Sequence, residues 1–178
     1  MSDASKPSSQ RIHLVTAKEA AAGAPLLAFH FAPEKAQVGE PGMEPGDLIA
    51  VTREDGETRV IVSLGKQEKF SPEKARRAGG MLGKWLGKSG AAAAELDLDA
   101  LPGAAADGAA ARAICEGICL GGYAYFQYKK QPEAAPDVTV RLRGKHSGIA
   151  ASVEALTGAV LFARDLSHEP ANVINPAT

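Results

Sequence analysis

The sequence predicts an α/β fold, with a mixed, largely parallel sheet flanked by helices on both faces. Short apolar, β-branched runs alternate with amphipathic segments of helix length, and alternation of that kind layers helices on a sheet. The later strands are separated by stretches long enough for crossover helices, which makes them parallel. One Asp-Gly dipeptide between two β-branched runs adds an antiparallel hairpin. A length of 178 residues suits one domain with a real core.

Ile12 to Val15 suits a first strand and Leu26 to Phe31 a second. Residues 32–46 hold three prolines and three glycines and read as a loop. Leu48–Thr52 and Arg59–Leu64 flank Asp55-Gly56 as the hairpin, and Val60-Ile61-Val62, apolar on both faces, reads as a covered central strand. Ser71-Pro72-Glu73 opens a helix with a Ser cap, Pro at the first position and an acid in the first turn. Its apolar face is Ala75, Ala78, Leu82 and Trp85, with Met81 and Leu86 alongside, and Gly87 is placed to end it.

Residues 93–98 alternate as a strand. A helix follows over 107–123, burying Ala110, Ile114, Gly117, Ile118 and Gly121. Asp137–Leu142 alternates again, and a last helix covers 149–167 with Val153, Leu156, Val160 and Ala163 on its apolar face. The glycines at 79–90 read as close helix–sheet packing.

Composition narrows the function. Net charge is −1 with 23% charged residues, which gives no long-range pull on nucleic acid or anionic lipid. No apolar run approaches the roughly 20 residues of a membrane span. The first ten residues lack the apolar stretch of a secretory signal, so residues 1–11 read as a disordered tail and the location as cytoplasmic.

No local pattern forms a site. Cys115 and Cys119 share a helix face, without the further ligands a metal needs, and read as small buried hydrophobes. His13, His30, His146 and His168 fall in no metal-ligand spacing. Gly65-Lys66 and Gly83-Lys84 lack the spacing of a phosphate loop. Arg141, Arg143, Lys145 and His146 make one basic cluster and Lys129-Lys130 another, each a solvated edge or a phosphate contact. No nucleophile elbow is present. The expectation is therefore no catalytic, metal-binding or cofactor-binding residue.

The end of the chain says more. Ala163-Arg164-Asp165-Leu166, then Pro170-Ala171-Asn172 and Pro176, resembles the segment that joins the two domains of the leucyl (cytosol) aminopeptidases. That segment reads approximately Ala-Arg-Asp-Leu-x-Asn-x-Pro-Ala-Asn-x-x-x-Pro, and His168 stands where Asn is usual. Val62-Ser63-Leu64-Gly65-Lys66 is similar to the family's Val-Gly-Leu-Gly-Lys strand end. Glu116-Gly117, Leu120, Tyr123, Phe126 and Tyr128-Lys129 resemble its Glu-Gly-x-x-Leu-x-x-Tyr-x-Phe-x-x-Tyr-Lys helix and exit, with Phe126 one place late.

The resemblance implies a macro-domain-like N-terminal domain over 12–163 and a connector over 164–178 leading to a C-terminal catalytic domain absent from this sequence. It implies a parent that removes N-terminal residues from peptides with two divalent metals, Mn or Zn, and assembles as a hexamer. The family's Asn-Thr-Asp-Ala-Glu-Gly-Arg motif is absent, so the fragment alone is expected to be inactive. Asn175-Pro176 at the very end reads as the start of a helix not built here. The alternatives are a stand-alone macro-type domain binding ADP-ribose or a related nucleotide through loop 39–46 and the turn at Gly65, and a DNA-binding module using 141–146.

Overall fold

Strand pairing decides the architecture of the computed structural model, which describes residues 9–19, 23–31, 47–52, 57–128, 137–171 and 173. Six strands form the main sheet: β2 (Ile12–Thr16), β3 (Leu26–His30), β4 (Leu48–Thr52), β5 (Thr58–Ser63), β6 (Ala93–Asp97) and β8 (Val138–Arg143). Their order is β2-β8-β6-β3-β5-β4. Every neighbouring pair is parallel except β4 with β5, the expected hairpin. The Asp55-Gly56 turn itself lies outside the described residues, as do Met1–Ser8 and the loop 32–46. β5 is an interior strand, next to the edge rather than central.

A second, two-stranded sheet pairs β1 (Ser9–Gln10) antiparallel with β7 (Ala124–Tyr125). Ser9 and Gln10 are both buried. The expected disordered tail therefore gives up its last residues to a strand. A polar dipeptide carries no apolar period, so only its partner strand reveals it.

Register sorts the strands into two faces. Ile12 and Leu14, Val138, Val140 and Leu142, Ala94 and Leu96, Leu27 and Phe29, and Val60 and Val62 line one face, and all are buried. Helices α1 (Pro72–Ser89), α2 (Gly108–Gly121) and α3 (Ala150–His168) all contribute to the same apolar cluster as that face. The other face presents Arg141, Arg143, Glu95, Asp97, Leu26 and Ala28.

α1 begins as expected: the Ser71 hydroxyl accepts the Lys74 N–H at 3.3 Å and Pro72 follows. It does not stop at Gly87. Gly87 stays helical, and Gly90 takes the left-handed turn at φ 73°. A glycine permits a helix to end without forcing it, and only a left-handed residue closes one this way. Met81 lies exposed beside the buried Ala75, Ala78, Leu82 and Leu86.

The glycines of α1 pack on α2, not on the sheet as expected. A Cβ on Gly79 would meet the Ile114 carbonyl oxygen at 2.2 Å, and one on Gly83 the Ile118 carbonyl oxygen at 2.1 Å. From the other side, Gly117 faces Arg76 O and Gly121 faces Gly80 O, each at 2.1 Å from a built Cβ. The two backbones touch, which bare glycine surfaces alone allow. Beside the seam, Glu116 accepts from Arg76 Nη2 at 3.0 Å and from Arg112 Nε at 2.9 Å. This buried carboxylate ties α1 to α2, and the pairing holds the Arg76 guanidinium above its ordinary value.

α3 corrects the sequence reading most. Its buried residues are Ala150, Val153, Thr157 and Leu161. Leu156 and Val160, expected inside, are exposed, and so are Phe162 and Leu166. Thr157 is accommodated because its hydroxyl donates to the Val153 carbonyl at 2.8 Å. The helix is apolar on more than one side, so periodicity alone could not choose the buried stripe.

Candidate functional site

Two places stand out, and neither contains an assembled catalytic set. The first is the exit of the chain. α3 runs through the expected 163/164 boundary to His168, and its last turn is fastened to the small sheet. Tyr123 Oη donates to Asp165 Oδ1 at 2.7 Å, and Arg11 donates to the other carboxylate oxygen. Tyr125 Oη donates to Glu169 Oε1 at 2.7 Å, and the Tyr128 hydroxyl donates to Oε2. Arg164 Nη1 donates to the Leu120 carbonyl at 3.0 Å and lies over the Tyr123 ring. His168, the departure from the family motif, stacks on Tyr125 with ring centroids 4.9 Å apart.

Burial, and then the bond to Asp165, raises the Tyr123 hydroxyl above its ordinary value. Loss of hydration and the bond to Glu169 do the same for Tyr125. Asp165 and Glu169 are held by these bonds, while Leu166 between them and Val173 beyond them are exposed and Ile174–Thr178 lie outside the described residues.

The second place is a crevice on the sheet face that presents Asp97 and Arg143. β3 and β6 pair only at Leu26–Glu95 and Leu27–Leu96, then part. Between them opens a cavity of about 210 Å³, walled by Leu26, Ala28, Ala100 and Leu101 and by the charged Asp97, Arg143 and Arg59. Arg143 Nε lies 3.6 Å from Glu95 Oε2 and Nη2 lies 3.7 Å from Asp97 Oδ2, ion pairs without hydrogen-bond contact.

Geometry of this kind identifies a domain, and comparison with known proteins identifies which. Residues 47–132 match the family model described as the cytosol aminopeptidase family, N-terminal domain. The chain belongs to the cytosol aminopeptidase family. It is similar to a probable cytosol aminopeptidase of Xanthobacter autotrophicus, 32% identical over 137 residues, covering 73% of this chain and 27% of the relative. A probable cytosol aminopeptidase of Microcystis aeruginosa is 30% identical over 179 residues, covering 89% of this chain and 36% of the relative. The chain thus spans only about a quarter to a third of these curated relatives, as the family's N-terminal domain should.

Among solved structures, the bottromycin maturation enzyme BotP superposes with a TM-score of 0.72 at 26% identity, over 86% of this chain and 35% of that one. A mutant of tomato leucine aminopeptidase superposes with a TM-score of 0.69 over 99% of this chain and 41% of that one; at 17% identity it speaks for the fold alone. Both place this N-terminal domain of the cytosol aminopeptidase family in a mixed α/β architecture built on a largely parallel sheet.

The remaining residues singled out in the sequence are scattered over this family domain. Cys115 and Cys119 are buried, and burial pushes both thiols up to about 12. No group of three or more His, Cys, Asp or Glu side chains is arranged to hold a metal among the described residues. His13 contacts Asp137 and Glu154 at 3.3 and 3.5 Å. His30 Nε2 is buried without a hydrogen-bond partner at the end of β3. His146 lies under Gly108.

The Gly65 N–H donates to Ser63 Oγ at 3.1 Å, so it is committed within its own turn. Loop 39–46 and Lys129-Lys130 lie outside the described residues. In the basic cluster, Arg143 faces Glu95 and Asp97, and the Lys145 backbone N–H donates to Asp99. No described helix is long and apolar enough to cross a membrane. Sequence reasoning missed the crevice. Its signal, alternate positions Glu95/Asp97 and Arg141/Arg143 on two strands, becomes readable only once those strands are known to be neighbours.

Proposed function

We propose that this domain is the non-catalytic N-terminal part of a two-metal leucyl aminopeptidase, a cytoplasmic enzyme that removes N-terminal residues from peptides. In this reading the domain contributes to assembly of a hexamer and shapes access to the active sites, while a C-terminal catalytic domain carries the metals, Mn or Zn. Metal-activated water would attack the first peptide bond there. One observation carries the reading beyond family membership: the last helix leaves a broad apolar face uncovered, with Leu156, Val160, Phe162 and Leu166 exposed, on the element that leads out of the domain. A face of that kind marks an interaction surface. The adjoining domain of the same polypeptide is the nearest occupant.

The test compares two proteins. This chain alone should not hydrolyse leucine-p-nitroanilide with added manganese or zinc, whereas a polypeptide that continues into the catalytic domain should. Turnover by this chain clearly above a heat-killed blank would refute the assignment of the chemistry to the other domain.

A further inference from the structure

The crevice between β3 and β6 lies where strand order reverses. From β3 the chain goes to β4 and β5 on one side, and from β6 it goes through α2 to β8 on the other. In open α/β sheets, such a point leaves a gap beyond the carboxyl ends of the two strands, because neither connection crosses it, and ligands bind there. Here the ladder ends at Leu27–Leu96, one residue short of the carboxyl end of β6, and the cavity of about 210 Å³ opens there alongside β3, against Leu26 to Phe29. That volume is below the roughly 300–1,000 Å³ of sites for drug-sized ligands, which limits an occupant to a small metabolite.

Charge selects the class. Arg143 brings a guanidinium whose Nε–H is buried and makes no hydrogen bond. Asp97 uses Oδ1 to accept the Asp99 N–H at 2.9 Å, and its Oδ2 faces Arg143 across 3.7 Å. Glu95 stands behind Arg143, and Arg59 stands at the outer lip. Both signs of charge therefore meet at the cavity, Arg143 and Arg59 with Asp97 in its wall and Glu95 beside Arg143. A simple anion would be repelled by Glu95 and Asp97, and a simple cation by Arg143 and Arg59. A zwitterion satisfies both signs at once. The rest of the wall, Leu26, Ala28 and Leu101, is apolar.

We propose that this crevice binds a free α-amino acid with a small apolar side chain, its carboxylate on Arg143, its ammonium on Asp97 and its side chain against Leu26 and Leu101. The assignment stands on this geometry alone and is independent of the parent activity.

Calorimetric titration of the present chain with L-leucine tests it. Saturable binding with a Kd on the order of 0.1–1 mM is expected. 4-Methylpentanoate, which is leucine without its ammonium, and isoamylamine, which is leucine without its carboxylate, should each bind at least about tenfold more weakly. The same loss is expected for Asp97→Asn. Ala100→Trp, which fills the mouth from an exposed position and leaves every charge in place, should abolish binding in a protein whose circular dichroism is unchanged. Absence of saturable heat up to about 10 mM leucine would overturn the proposal. So would 4-methylpentanoate or inorganic phosphate binding as well as leucine, or undiminished binding by A100W. The three-ligand comparison on the unaltered chain decides the matter even where a variant fails to fold.

Discussion

Cys115 and Cys119 show how far a single residue's chemistry is set by its surroundings. They sit one turn apart on α2, the spacing that invites a metal or redox reading, yet both side chains are buried. A thiol buried in apolar surroundings resists ionisation, and only the thiolate attacks or ligates. The ordinary value of 9.0 is raised to about 12 for both, chiefly by burial. The unfolded chain therefore gives up these protons more readily than the folded one. Stability from this source is intact below pH 9 and is lost as pH rises from about 9 to 12. The raised Tyr123 hydroxyl acts with the same sign, so alkaline melting should loosen the chain exit as well as the core. At pH 8, iodoacetamide should label the native cysteines at least about a hundredfold more slowly than the urea-unfolded chain. Mass spectrometry reads this directly, and fast labelling of the native protein would contradict the burial argument.

At the level of elements, the α1–α2 seam sets two expectations of opposite sign. Replacing a mid-helix glycine by alanine ordinarily stabilises by roughly 0.5–1 kcal/mol, through lower backbone entropy in the unfolded chain. Gly158 on α3 has nothing within 4 Å of a built Cβ, so Gly158→Ala should raise the urea midpoint by that ordinary amount. Gly117 faces the Arg76 carbonyl oxygen at 2.1 Å, so Gly117→Ala must push the helices apart and should cost on the order of 2–3 kcal/mol. Equal effects at the two sites would show that the helices do not touch at the seam. The helices themselves were legible from caps and period, Ser71-Pro72-Glu73 most plainly. Their partner was not. The glycines at 79 and 83 announce a close approach, and sequence alone does not say whether sheet or helix makes it.

On the scale of the whole molecule, α3 is the element whose surface the domain does not complete. Phe162 is 60% exposed and Leu166 46%, on a helix that is fastened at its end by Asp165 and Glu169. If the adjoining domain covers that face, Phe162→Lys should shift the stability of the present chain by no more than about 0.5 kcal/mol, as surface changes do. The same substitution in a polypeptide that continues into the catalytic domain should cost about 1–3 kcal/mol, because it would bury a charge against apolar surface. Parallel urea melts of the two proteins check this, and an unchanged midpoint in the longer one would remove α3 from the interdomain contact.

The amino-acid order determined the α/β class, the hairpin, all three long helices to within a few residues and, through the Ala-Arg-Asp-Leu and Glu-Gly runs, the family. These are local properties: period, caps, turn residues and motif spacing act over a few positions. Which stripe of α3 is buried, where Ser9 and Gln10 pair and how Asp97 meets Arg143 were decided only in three dimensions. Each depends on residues far apart in the chain brought together by strand order, and strand order is fixed by the packing of the whole domain.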